Sequence, residues 1–327
     1  MTAVKNQIVT ENYAIYEGDC TEVIAAVPDG SVGFSIYSPP FVGLYKFSNS
    51  PRDMSNNEGP AFWEHFHFLI SEMLRVTMPG RLCSVHVMNL PKSKVRDGVI
   101  GMYDFRGDVV RAHEAAGWIF HSEVCIWKDP VVAQQRTKSI RLLHKQIVKD
   151  STISGQGLAD YIVTFRKPGI NPDPVSGCFD EWHGEGEGPD PAKFTTPTDG
   201  RNWYSIEVWQ RYASPVWSDI NQTRTLQYRG GRDEKDELHI SPLQLDVIER
   251  CIDLWSNPGD TVLTPFLGIG SEVYCAARMG RKGVGIELKP SYFAQAVRNL
   301  AEMDRDTGTL FDSPASLTPL EAVIHAN

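Results

Sequence analysis

The sequence predicts an α/β fold built on a mostly parallel sheet flanked by helices, and three observations predict it. Apolar, β-branched runs alternate with segments of helical period through the first half of the chain. The same alternation returns from His239 onward. Within that return, a glycine-rich turn joins a strand-like run to a helix-like one, the arrangement of a βαβ unit.

In chain order, strand-like runs occupy residues 32–37, 82–87 and 118–127, each ending in polar or turn-forming residues. Between the first two, Phe62, Phe66, Leu69, Ile70, Met73 and Leu74 recur at helical spacing. Between the second and third, Val109, Val110, His113 and Ala116 do the same. Gly80 and Gly117 stand where these helices would stop. Residues 159–165 read as a further strand. After Lys167 the character changes: residues 168–235 are rich in Pro, Gly and acidic side chains and hold no sustained period. They carry Trp182, Trp203, Trp209 and Trp217, which are hard to leave solvated, so the stretch reads as a separate loop-rich subdomain. Beyond it, Leu243, Val247, Ile248, Cys251, Ile252 and Trp255 form a helical stripe. A strand at 261–263, the glycine loop, a helix at 272–279 and a strand at 283–288 follow. The organisation expected is therefore one α/β domain in two halves, 1–167 and 236–304, with an inserted subdomain at 168–235 and a flexible tail at 305–327.

A length of 327 residues accommodates such a domain with its insertion. No apolar run is long enough to span a bilayer, and residues 1–16 lack the pattern of a secretory signal. The six cysteines include no C-x-x-C pair, which points to reduced thiols in a cytoplasmic protein, without a disulfide framework or a zinc site. The pair His65 and His67 lies inside an aromatic helical pattern with no further ligand converging on it, so no metal is expected. A net charge of −9 argues against coating nucleic acid by charge alone. It leaves a nucleic-acid enzyme open, because only the contact surface has to be basic.

The segment 262–271 sets Gly268 and Gly270 between a strand and a helix, where glycine allows a sharp turn and close approach of a ligand. Glu287 ends the next strand, a usual place for a carboxylate that accepts from ribose hydroxyls. A phosphate-binding G-x-x-x-x-G-K-[ST] loop is absent, and Val273 replaces the third glycine of the pyrophosphate fingerprint. A nucleoside cofactor without phosphates, such as S-adenosylmethionine, needs neither.

Ser38, Pro39, Pro40 and Phe41 follow the run 32–37. Two prolines end the strand and hold a stiff extended turn whose carbonyl groups meet no competing local donor. An exocyclic amino nitrogen is a poor nucleophile, because its lone pair is delocalised into the ring. Acceptors from Ser38 and a carbonyl near Pro39 would bind its hydrogens and stabilise the positive charge that develops as it is alkylated. Phe41 would stack on a base extruded from a duplex.

These residues resemble the permuted (β-class) amino-group DNA methyltransferases, in which a [DNS]-P-P-[YF] tetrad precedes the cofactor motif. The match covers roughly residues 12–167 and 236–300. It implies a Rossmann-like S-adenosylmethionine-dependent methyltransferase fold, double-stranded DNA as substrate, and methylation at adenine N6 or cytosine N4. Phe266, Gly268 and Gly270 match the family's F-x-G-x-G loop, which Pro265 precedes, and Glu287 its ribose-binding acid. The resemblance gives Asp19 an adenine contact, and it makes His239, Pro242 and Gln244 a cofactor-flanking motif. One position departs: Thr264 stands where the family usually has Asp, near the methionine end of the cofactor, which implies weaker cofactor binding. The slot of 168–235 is that of the family's target-recognition region. A homodimer is common among such enzymes, and neither a membrane nor a metal enters the scheme.

Lys128, Arg136, Lys138, Arg141, Lys145 and Lys149 follow the third strand with Asp129 as the lone acid among them, a local reversal of sign in an acidic chain. They read as a flexible basic loop that grips phosphates. In the insertion, Arg201, Arg211, Arg224, Arg229 and Arg232 are candidates for guanine or phosphate contacts. Three rival readings stay open: the same chemistry on RNA, a non-catalytic DNA-binding relative, and a small-molecule methyltransferase. No endonuclease motif is visible, so a cleavage partner would be a separate chain.

Overall fold

The computed structural model describes residues 3–41, 53–56, 59–92, 94–137, 142–152, 154–175, 209–231 and 242–306. The first half of the chain supplies β1 (Val4–Val9), β2 (Tyr13–Gly18), α1 (Cys20–Val23), β3 (Val32–Tyr37), α2 (Pro60–Val76) and β4 (Thr77–Met88). A small hairpin of β5 (Leu90–Lys92) and β6 (Gly101–Tyr103) brackets α3 (Lys94–Asp97). Then come α4 (Phe105–Ala115), β7 (Ile119–Ile126), α5 (Pro130–Thr137), α6 (His144–Lys149) and β8 (Asp160–Arg166). The second half supplies β9 (Val216–Trp217), α7 (Leu245–Trp255), β10 (Thr261–Thr264), α8 (Ser271–Arg278), β11 (Lys282–Glu287) and α9 (Pro290–Asp306).

Nine strands form one sheet in the order β1-β2-β11-β10-β3-β4-β8-β7-β9. The central run from β2 to β4 is parallel throughout; β1 and β8 join it antiparallel. Both faces of this run are covered, which is why β3 is buried along its whole length instead of alternating. Tyr37, Val85, Val163 and Val284 pack on one side with α1, α2 and α4. Phe34, Ile36, Ile162 and Val262 pack on the other with α7, while Tyr13 and Ile15 meet α8 and α9 there.

Local chemistry sets the element ends. Pro60 occupies the first turn of α2, where its missing N–H is no loss, and Phe62, Phe66, Leu69, Ile70 and Met73 form the buried stripe. The helix stops at Thr77, which turns extended and donates its hydroxyl to the Met73 carbonyl at 2.7 Å. Gly80, expected to end this helix, lies three residues further on, inside β4. Gly117 does follow α4, whose first turn is capped by Asp104 accepting from the Gly107 N–H at 3.0 Å.

Two expectations change on the structure. The basic stretch is helical over α5 and α6, and Asp129 starts the first of these by accepting from the Val131 N–H at 2.7 Å. The described part of 168–235 does not stand apart from the sheet. Val216–Trp217 pairs with β7 as the edge strand, and Trp217 is fully buried. Arg250 of α7 clamps this segment, bonding Asp219 through both guanidinium nitrogens at 2.9 Å and lying over the Tyr212 and Trp217 rings. Trp182 and Trp203 lie outside the described residues, as do residues 307–327 of the expected tail; α9 carries the chain through Asp306. No helix among the described residues is long and apolar enough to cross a membrane.

Candidate active site

β3 and β10 are neighbours in the sheet, with Leu263 beside Ser35, although more than two hundred residues separate them in sequence. Their carboxyl ends therefore put the Ser-Pro-Pro-Phe turn and the glycine loop on the same edge. A cleft of about 500 Å³ opens there, lined by Ser38, Pro39, Pro40 and Phe41 from one side and Pro265, Phe266, Leu267 and Gly268 from the other. β2 and β11 end at the same edge and add Asp19 and Glu287. Size and mixed lining are those of a small-molecule site.

In the glycine loop, φ is +55° at Gly268 and +95° at Gly270, a left-handed turn that side-chain-bearing residues adopt at a penalty. Gly270 is the N-cap of α8. The carboxyl of Glu287 bridges the loop, accepting from the Gly268 N–H at 2.7 Å and from the Lys289 N–H at 2.8 Å. Burial raises this carboxyl to about 7, against the pull of those two N–H groups. Asp19 caps α1, accepting from the Thr21 N–H at 3.0 Å and the Thr21 hydroxyl at 2.7 Å, while still facing the cleft. Burial pushes the Cys20 thiol well up, so it presents no thiolate to the site.

On the side of the Ser-Pro-Pro-Phe turn, the Phe41 ring meets the Phe105 ring edge-on at 5.8 Å. Ser38 Oγ lies 2.9 Å from His86 Nδ1. His86 Nε2 lies 3.1 Å from Asp160 Oδ2, and Lys128 Nζ lies 2.5 Å from the same oxygen.

The remaining expected residues fall in several places. Thr264 ends β10 with its side chain buried, is not among the residues that line the cleft, and its hydroxyl oxygen finds no partner among the described residues. Gln244 is the N-cap of α7; Pro242 and Leu243 beside it reach the cleft. His239 lies outside the described residues, together with Lys138, Arg141, Arg201 and Arg232. Lys128 is engaged with Asp160, Arg224 with Asp246 and Glu249, and Arg211 approaches Asp219 at 3.9 Å. Arg136 lies on α5, Lys145 is exposed on α6, and Arg229 sits in a short 3-10 turn.

Several cleft residues carry no motif. Glu272, in the first turn of α8, is buried against the cleft, and burial raises its carboxyl to about 8. The Ser271 hydroxyl beside it is buried without a protein partner. Lys289 and Tyr292 close the wall on the glycine-loop side, with the ammonium 4.4 Å from the ring centre. Only the acid directly after G-x-G-S was a visible sequence signal; His86 and Asp160 are brought in by strand register.

Comparison with known proteins shows the family and the fold. A family model described as DNA methylase matches residues 32–298. The type II methyltransferase M.BamHI of Bacillus amyloliquefaciens is 24% identical over 294 residues, covering 87% of this chain and 56% of the relative, so the chain spans about half of that protein's length. A candidate DNA modification methylase of Thermus thermophilus, solved with S-adenosylmethionine, superimposes with a TM-score of 0.59 at 23% identity, covering 88% of this chain and 93% of the other. The cytosine-N4-specific PvuII DNA methyltransferase gives a TM-score of 0.59 at 16% identity, covering 99% and 94%. At these identities the structural likeness speaks for the fold.

Proposed function

The chain belongs to the DNA methylase family, and on that premise we propose that it methylates an exocyclic amino nitrogen, adenine N6 or cytosine N4, in double-stranded DNA, with S-adenosylmethionine as donor. The observation that carries the reading is the meeting of the Ser-Pro-Pro-Phe turn and the glycine loop across one cleft.

The residues present fit the cofactor. A purine nucleoside calls for apolar walls and acceptors, which Pro265, Phe266 and Ile286 supply together with Asp19 and Glu287. Its amino-acid end calls for a polar pocket, which the Glu272 carboxyl and the Ser271 hydroxyl, without a partner among the described residues, offer. S-adenosylmethionine would supply the electrophilic methyl group. Ser38 and the turn carbonyls would accept the hydrogens of the target amino group, and Phe41 would stack on the extruded base.

The DNA itself would run past α5 and α6, with Lys145 and Lys149 toward the phosphates, and residues 168–235 would act in target recognition. The experiment is direct: full-length protein, labelled S-adenosylmethionine and mixed-sequence duplex DNA, followed by digestion and mass spectrometry of the nucleosides. Methylated adenosine or N4-methylcytidine is the expected product and names the base. Transfer to structured RNA with none to duplex DNA would overturn the substrate assignment.

A further inference from the structure

Ser38 does not stand alone at the cleft floor. The register that sets Tyr37 of β3 beside Val85 of β4 brings His86 next to the serine, and β4 pairs His86 with Ile162 of β8, two residues from Asp160. Residues two apart on a strand share a face, so the three strands stack Ser38, His86 and Asp160 in one line. The line is buried as it recedes: the side chain of His86 is 11% exposed and that of Asp160 4%. Lys128 closes it from outside.

We propose that His86 is a positioning residue and proton acceptor that acts through Ser38, with Asp160 and Lys128 fixing its tautomer. The proposal rests on the methyl-transfer reading above and adds a role to residues outside its tetrad. Asp160 would be raised by its burial, but His86 and Lys128 hold it below the ordinary carboxylate range, so it stays ionised and can only accept. With Asp160 able only to accept, the neutral form of the imidazole would carry its ring proton on Nε2, which lies 3.1 Å from the Asp160 oxygen though out of hydrogen-bond alignment with it. Nδ1 is left as an acceptor, and at 2.9 Å it takes the Ser38 hydroxyl hydrogen. The lone pairs of Ser38, which lines the cleft, are then left to receive an amino hydrogen.

The same line carries the proton away. As the base nitrogen forms its bond to the methyl carbon, the sulfur–methyl bond breaks and its electron pair stays on sulfur. The surplus N–H proton passes to Ser38 Oγ while the serine's own proton passes to His86 Nδ1. The resulting imidazolium faces the Asp160 carboxylate. The arrangement follows the logic of a hydroxyl, imidazole and carboxylate in series, recognised by geometry and not by order in sequence.

Two side-chain replacements separate the contacts. Asn at 86 keeps an acceptor near the position of Nδ1 but cannot reach Asp160 or take a proton; Gln reaches toward Asp160 and leaves Ser38 without its partner. His86→Gln should lower kcat by about a hundredfold, and His86→Asn, which keeps an acceptor for the Ser38 hydroxyl but cannot take a proton, by nearly as much, as expected for general-base assistance. Calorimetric S-adenosylmethionine affinity should stay within about twofold in both, because the cofactor wall is untouched. In a Ser38→Ala background, His86→Gln should add less than about a twofold further loss, since the imidazole acts only through the hydroxyl. Multiplying losses, an unchanged kcat in His86→Gln, or cofactor affinity falling in step with kcat would each overturn the proposal. Nitrogen NMR of histidine-labelled protein tests it independently of turnover. A bare Nδ1 and protonated Nε2 at His86, with the Nδ1 signal moving in Ser38→Ala, is expected; a protonated Nδ1 overturns it. Absence of methyl transfer by the parent protein would count against the function, while the NMR result would still decide the relay.

Discussion

Glu272 shows how one residue can shift the electrostatics of a site that its motif leaves incomplete. The position before Pro265 holds a threonine whose hydroxyl is buried behind the cleft without a protein partner. The acid available to the cation of an amino-acid ligand is instead Glu272, eight residues on and facing the cleft. Its carboxyl is raised from an ordinary 4.5 to about 8 by burial. The folded chain thus keeps a proton that the unfolded chain releases between those values. This side chain's contribution to stability is full below about pH 4.5 and is lost as pH rises through about 8. Glu272→Gln removes the titration, and with it the negative charge that a bound cation would draw out of this carboxyl. The variant should gain melting temperature relative to the parent between pH 5 and pH 8.5, by thermal unfolding, and should bind S-adenosylmethionine several-fold more weakly, by calorimetry. A melting difference that is flat with pH, or an unchanged affinity, would show that Glu272 is neither strained nor facing the ligand's cation.

At the scale of the element, α4 combines a legible stripe with an illegible partner. Val109 and His113 read from the sequence as one helical face, and both are fully buried. That the imidazole lies flat on Phe165, with ring centres 3.9 Å apart and an interplanar angle of 1°, depends on where β8 passes beneath the helix. Burial lowers His113 from 6.5 to about 3, against a raising hydrogen bond to the Val109 carbonyl. Below pH 6.5 the unfolded chain takes a proton that the folded chain refuses, so this helix–sheet contact loses stability as pH falls from about 6.5 toward 3. His113→Phe, which can keep the stack without titrating, should flatten the acid limb of the stability curve measured by urea unfolding from pH 7 to pH 4.5. Parallel curves would reject the assignment. The same division holds elsewhere. Stripes such as Phe62 to Met73 were legible because each repeat is one local decision. The strand β2 was not, because burial on both faces removes the alternation, and β9 is only two residues long.

Over the whole molecule, the motifs of the cleft were legible and their meeting was not, because the sheet centre is made where two distant parts of the chain pair. β3 and β10 bring that junction together, and one buried ion pair spans it. Arg81 of β4, 1% exposed, pairs with Asp260 just ahead of β10 and donates to the Gly33 carbonyl of β3 at 3.0 Å and the Asp173 carbonyl at 2.9 Å. Gly33 is required at this crossing: a Cβ there would lie 2.7 Å from the Asp260 carboxyl carbon. Ion pairs this deep add little net stability over an apolar replacement, but removing one partner strands the other charge at a loss of about 3–5 kcal/mol. Arg81→Leu should therefore destabilise the full chain by about that amount in urea unfolding. Arg81→Leu with Asp260→Leu should recover part of the loss but not all, since Asp260 also accepts from the Asn257 N–H at 2.6 Å. Because the glycine loop follows β10 and the tetrad follows β3, whose Gly33 carbonyl Arg81 also holds, the single variant should also weaken S-adenosylmethionine binding, and the double should restore it in proportion to the stability recovered. A loss below about 1 kcal/mol would mean that backbone pairing alone holds the halves in register.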